Sequence, residues 1–129
     1  MDLAMATTAL FAAAGLTVLV SVIHSWLGEI RVIGPLLAID SRPGVLRSPF
    51  LRQVIRYAWH LTSLAWIGMA AALAALAIMP SSPAGKTAIL IIAGTFLLHG
   101  AIVLAISRGR HLAWPIFLAI GGLGLFAGL

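Results

Sequence analysis

The chain has 129 residues, of which 62% are hydrophobic and only 9% charged, with no cysteine and a mean hydropathy of +1.14. A soluble domain carries about 25% charged residues, so an ordinary water-soluble globule is excluded and lipid is the solvent that fits. The net charge of +5 does not point to nucleic acid, because seven of the eight basic residues fall in two of the connections between apolar segments. The absence of cysteine removes disulfides, thiolate metal sites and C-x-x-C redox chemistry.

In chain order, residues 3–27 carry no formal charge and form a first predicted span, since crossing a hydrocarbon core takes about 20 helical residues. The start Met-Asp-Leu has no basic region and no small-residue cleavage site follows, so no cleaved signal peptide is expected. Residues 57–79 form a second span, 87–107 a third and 112–129 a short fourth. Pro80, Pro83 and Gly85 mark a tight turn between the second and third. Trp114 and Pro115 stand in the first turn of the fourth, where proline is tolerated. The segments are apolar all round, which argues against membrane strands.

The one long connection, residues 29–56, carries Arg31, Arg42, Arg47, Arg52 and Arg56 together with Pro35, Pro43 and Pro49. Its prolines exclude a single continuous helix. A short interfacial helix starting near Ser48 and Pro49, running into the second span, fits its mixture of arginine and apolar residues. Arg108 and Arg110 follow the third span, and Lys86 alone precedes it. The positive-inside rule then puts the two arginine-bearing connections in the cytoplasm and both termini outside. The expectation is an all-α, integral membrane four-helix bundle, a single transmembrane domain over residues 1–129, in the inner (plasma) membrane of the cell.

Few polar groups fall inside the spans, and ionisable groups there are functional candidates by default. They are His24, His60 and His99, with His111 at the start of the fourth span. At about 1.5 Å per helical residue, the first three lie within one half of the bilayer, on the arginine-rich side. Helical spacing puts Thr17, Ser21, His24, Ser25 and Gly28 on one face, Arg56, His60 and Ser63 on another, and Thr95 with His99 on a third. Each intramembrane histidine thus has a hydroxyl one turn away to orient its second ring nitrogen. Glu29, five residues beyond His24, reaches inward only from the helix end.

Three functional readings follow. In the first, two of the histidines, best matched in depth as His24 and His99, ligate haem b between facing helices. Arg56 or its neighbours then hold the propionates, Gly28 and Gly100 leave room for the macrocycle, and the role is electron transfer. In the second, His24, His60 and His99, with Glu29, bind a bare zinc, iron or copper ion, and an enzymatic role is open. In the third, the polar groups only fix helix packing in a non-catalytic membrane subunit or assembly factor without a cofactor. The first two share one expectation, that His24, His60 and His99 converge on one site in the arginine-rich half of the bundle. Trp26, Trp59 and Trp114 read as interfacial residues. Trp66, deeper and on the face of Trp59 and Ser63, reads as core. Gly124/Gly128 and Gly68/Ala72 are small-residue faces suited to close helix contact, within the bundle, in a homo-oligomer or in a larger membrane complex. No phosphate loop, no Ser-His-Asp order and no paired intramembrane acids are present, and no nucleic-acid partner is expected.

Overall fold

The computed structural model describes residues 2–39, 44–79 and 81–129, and among these all regular structure is helical. Arg42, Pro43 and Pro80, placed above in connections, lie outside the described residues. Helix α1 (Leu3–Gly28) starts at Asp2, whose carboxylate accepts from the Ala4 amide at 3.2 Å. It does not stop at Leu27 as the charge pattern predicts. It continues through a π-helical turn, Glu29–Ile33, into α2 (Gly34–Ala38), so one unbroken helix of 36 residues runs from Leu3 to Ala38. The reason is local. Charged side chains mark the edge of an apolar run but leave the backbone hydrogen bonds intact. Pro35 has no amide to offer the preceding turn, and just before it the Gly34 amide reaches back to the Glu29 carbonyl in the wider π pattern.

A 3₁₀ turn at Gly44–Arg47 leads to α3 (Pro49–Ile78), 30 residues long. Its start is the one the sequence predicts. Ser48 accepts from the Leu51 amide at 3.4 Å and Pro49 takes the first helical position. Helix α4 (Pro83–Ser107) repeats this device, with the Ser82 hydroxyl accepting from the Gly85 amide at 3.0 Å. It ends at Arg108 and Gly109, with φ of 52° and 80°, the left-handed turn that reverses the chain. Helix α5 (Ala113–Gly128) has only 16 residues, roughly 24 Å against a hydrocarbon core of about 30 Å. Three helices, Leu3–Ala38, Pro49–Ile78 and Pro83–Ser107, are long and apolar enough to cross a membrane, and α5 is apolar but shorter.

Helix α1 packs along both α3 and α5, and α4 packs along α5, whereas α3 and α4 touch only sparingly. The helices therefore form a ring that is loose at one edge. Ala13, Phe96, Leu73 and Ile120 fill the core with almost no exposure. The α4–α5 seam is built on missing side chains. A Cβ on Gly124 would lie 2.9 Å from the Ala93 Cβ, and one on Gly121 would lie 2.8 Å from the Ala93 carbonyl oxygen. Gly68, by contrast, faces outward. A Cβ there would meet nothing within 4 Å, so among the described residues this position has no close neighbour. Large apolar side chains such as Leu61, Ile91, Leu98 and Ile106 are exposed on the outside of the bundle, as a lipid-facing surface requires.

Candidate functional site

The arginine-bearing ends of α1, α3 and α4 meet the start of α5 at one end of the bundle, and the histidines lie there. Two linked features result. One is an aromatic cleft, and the other is a polar ladder between α1 and α3.

The ladder comes from register. On α1, Ser25 and Glu29 are four residues apart and so share a face, as do Arg56, His60 and Ser63 on α3. The two faces meet. His24 Nδ1 is 2.9 Å from Ser63 Oγ, the Ser25 hydroxyl is 2.9 Å from Ser63 Oγ, and His60 Nδ1 is 3.0 Å from Ser25 Oγ. His60 Nε2 is 3.2 Å from one carboxylate oxygen of Glu29, and Arg56 pairs with the other at 2.9 Å. Sequence spacing predicts a hydroxyl for each histidine on its own helix. The hydroxyls that His24 and His60 use are instead on the opposite helix. Thr17 and Ser21 bond to the carbonyls of Ala13 and Thr17 in their own helix, at 2.7 and 2.6 Å.

The cleft, of about 420 Å³, is lined by His24, His99, His111 and Arg31, with Trp59, Trp66 and Phe117 among its apolar walls. That volume falls in the range of about 300–1,000 Å³ typical of small-molecule sites. The His24 ring lies flat on Trp59, and Trp66 stands edge-on to it with centroids 4.9 Å apart. Trp66 is also edge-on to His99 at 6.0 Å and to Phe117 at 5.1 Å. At 6% exposure it is part of the core, as its position on the α3 face implies. It touches both imidazoles.

Partners fix two of the ring tautomers. His99 Nδ1 is 2.8 Å from the Thr95 carbonyl oxygen. A carbonyl only accepts, so this nitrogen carries the proton and Nε2 of the neutral ring is an acceptor. The Ala113 amide donates to His111 Nδ1 at 3.2 Å, so the neutral His111 ring carries its proton on Nε2 and is a donor. The residues lining the cleft thus include a ring with an acceptor nitrogen, His99, a ring with a donor nitrogen, His111, and the cation Arg31.

The structure brings His24 and His99 to one cleft and His24 and His60 to one ladder. His60 does not line the cleft. Among the described residues no group of three or more histidine, aspartate or glutamate side chains is placed to hold a metal ion. Arg56 is engaged by Glu29, and the arginine at the cleft is Arg31. Gly28 and Gly100, which the sequence offers as room for a macrocycle, instead admit neighbouring side chains. A Cβ on Gly28 would run into the Trp59 indole, and one on Gly100 would lie 2.6 Å from Leu118 Cδ2. Sequence reasoning misses the roles of Ser25, Ser63 and Arg31. Ser25 and Ser63 are legible as helix-face residues, but not as partners of each other.

The fold and site define an α-helical membrane protein with a histidine–aromatic cleft at the arginine-rich end of its bundle. No protein-family model, no curated protein and no solved structure matches the chain.

Proposed function

We propose that this is a four-span inner-membrane protein, with both termini outside, that binds a planar ring carrying hydrogen-bonding groups, of the quinone–quinol class. Helix α5 completes the fourth crossing with modest local thinning of the bilayer. The carrying observation is the fixed pair of tautomers facing one cleft. His111, with Arg31, donates to a carbonyl of the oxidised ring, and His99 accepts from a hydroxyl of the reduced ring. Indole and phenyl rings supply flat apolar walls, and the sparse α3–α4 contact leaves a lipid-side edge for a hydrophobic ligand. Neither a bound redox metal nor a paired intramembrane acid is needed for such binding.

The test is tryptophan fluorescence of the purified protein titrated with a short-chain ubiquinone, since Trp59 and Trp66 line the cleft. The expected result is saturable quenching, with affinity falling up to about tenfold in His111→Leu, which removes one donor to a quinone carbonyl, the value of one hydrogen bond. Quenching that rises linearly without saturation, and equally in the variant, reports partition into detergent and rejects the reading.

A second reading keeps haem b, and one observation favours it. Ligating histidines commonly donate their other ring nitrogen to a backbone carbonyl, as His99 does to Thr95. His99 would then hold the iron through its free ring nitrogen, and Arg31 would pair with a propionate. Ligation by His24 and His99 together requires a rearrangement of Trp66, which touches both rings. An absorption spectrum separates the readings, because a Soret band lost in His99→Ala selects haem. A protein with neither saturable quenching nor a Soret band is best read as a non-catalytic subunit or assembly factor, its cleft a packing feature.

A further inference from the structure

We propose that His24, Ser63, Ser25, His60 and Glu29 form a proton relay from the cleft to the partly exposed Glu29–Arg56 ion pair beside it. The four consecutive separations are 2.9, 2.9, 3.0 and 3.2 Å, all within hydrogen-bond reach. Every interior member can both donate and accept, so the chain can run in either direction. The inference concerns the ladder and stands whichever ligand occupies the cleft.

The two directions differ by one transferred proton. In the first, His24 Nδ1–H donates to Ser63, Ser63 to Ser25, and Ser25 to His60 Nδ1, while His60 Nε2–H donates to the Glu29 carboxylate. A proton then arrives at His24 Nε2 from the cleft. The Nδ1–H bond of His24 breaks as its proton passes to the Ser63 oxygen. The Ser63 hydroxyl proton passes to Ser25, and the Ser25 hydroxyl proton to His60 Nδ1. His60 becomes an imidazolium held by the Glu29 carboxylate, and every hydrogen bond between His24 and His60 has reversed. One proton has entered at His24 Nε2 and one has been gained at His60. No oxidant or reductant is involved.

The ends suit these roles. His24 is part-buried against Trp59 and Trp66, with His99, His111 and Arg31 as the other titratable or charged groups on its cleft. His60 and Glu29 are about one-third exposed, and Arg56 is the cation beside them. A proton delivered to this pair therefore reaches water. Of the two hydroxyls between the imidazoles, Ser63 is buried, at 4% exposure, and Ser25 is half-buried, so the direct path from His24 to His60 runs through them.

The experiment is a pH titration of the full-length protein in nanodiscs, labelled with ¹⁵N in its histidine rings and followed by NMR. In the parent, protonation of His60 is expected to switch the tautomer of His24, so both rings report one common midpoint. Ser25→Ala should cut the link and leave His60 titrating beside Glu29 while the His24 tautomer no longer follows. Ser25→Thr keeps a hydroxyl and should restore the coupling, which separates loss of the relay from loss of folding. Independent midpoints in the parent, or coupling that survives in a folded Ser25→Ala protein, overturn the relay. The ligand assay reads tryptophan emission and is separate, so failure there leaves this result intact.

Discussion

The imidazole of His24 lies flat against the indole of Trp59, ring centroids 4.5 Å apart and planes 5° from parallel. Two contacts set that geometry. The Trp59 indole nitrogen donates to the His24 carbonyl at 3.1 Å, and the ring occupies the space a side chain at Gly28 would take. The stack ties α1 to α3, forms one wall of the cleft and holds the first member of the ladder. It follows that Gly28→Ala should be destabilising by about 1–3 kcal/mol, the cost of overpacking. Gly68→Ala should be neutral or stabilising by up to about 1 kcal/mol, because alanine is the better helix former and nothing crowds that position. Unfolding in a mild detergent, followed by circular dichroism, measures both. Equal stability of the two variants contradicts the packing described.

The α4–α5 seam makes a parallel contrast. Gly124→Leu must push Ala93 aside, whereas Gly122→Leu projects into open space. The first variant should lose thermal stability by several degrees, and the second should stay close to the parent. If the two behave alike, the seam is not where α5 is held.

Within the cleft, His99 is oriented by the Thr95 carbonyl and not by the Thr95 hydroxyl, which bonds to the Ile91 carbonyl at 2.9 Å. Thr95→Val should therefore leave the affinity for the reduced ring, read as ubiquinol displacing ubiquinone quenching, within about twofold of the parent, because the backbone acceptor survives the exchange. His99→Leu should weaken it by up to about tenfold. A large loss in Thr95→Val would show that the hydroxyl, not the carbonyl, governs the ring.

Orientation in the membrane can be read by thiol labelling, since the chain has no cysteine of its own. Gly44 and Ser81 are exposed and lie toward opposite ends of α3. With the arginine-rich connection inside, Ser81→Cys should react with an impermeant maleimide in intact cells, and Gly44→Cys only after lysis. The opposite pattern reverses the proposed topology.

The sequence alone determined the helical character of the chain, its apolar segments and the start of α3 at Ser48–Pro49. These depend on local composition and on caps that act within one turn. It misplaces the end of the first helix, because Glu29 and Arg31 look like a boundary when a π-helical turn carries the backbone past them. It also brings His24, His60 and His99 to one end of the bundle through depth, which needs only the helical rise. Which side chain meets which was decided by tertiary structure. Helical periodicity places Ser25, Glu29, His60 and Ser63 on faces, but the pairing of those faces depends on how α1 and α3 rotate about their own axes. That rotation is set by the absent Gly28 side chain and the bulk of Trp59. The same packing sets Trp66 against both His24 and His99 and leaves His60 outside the cleft, and the buried indole holds its place through contacts from three other helices that lie far away in the chain.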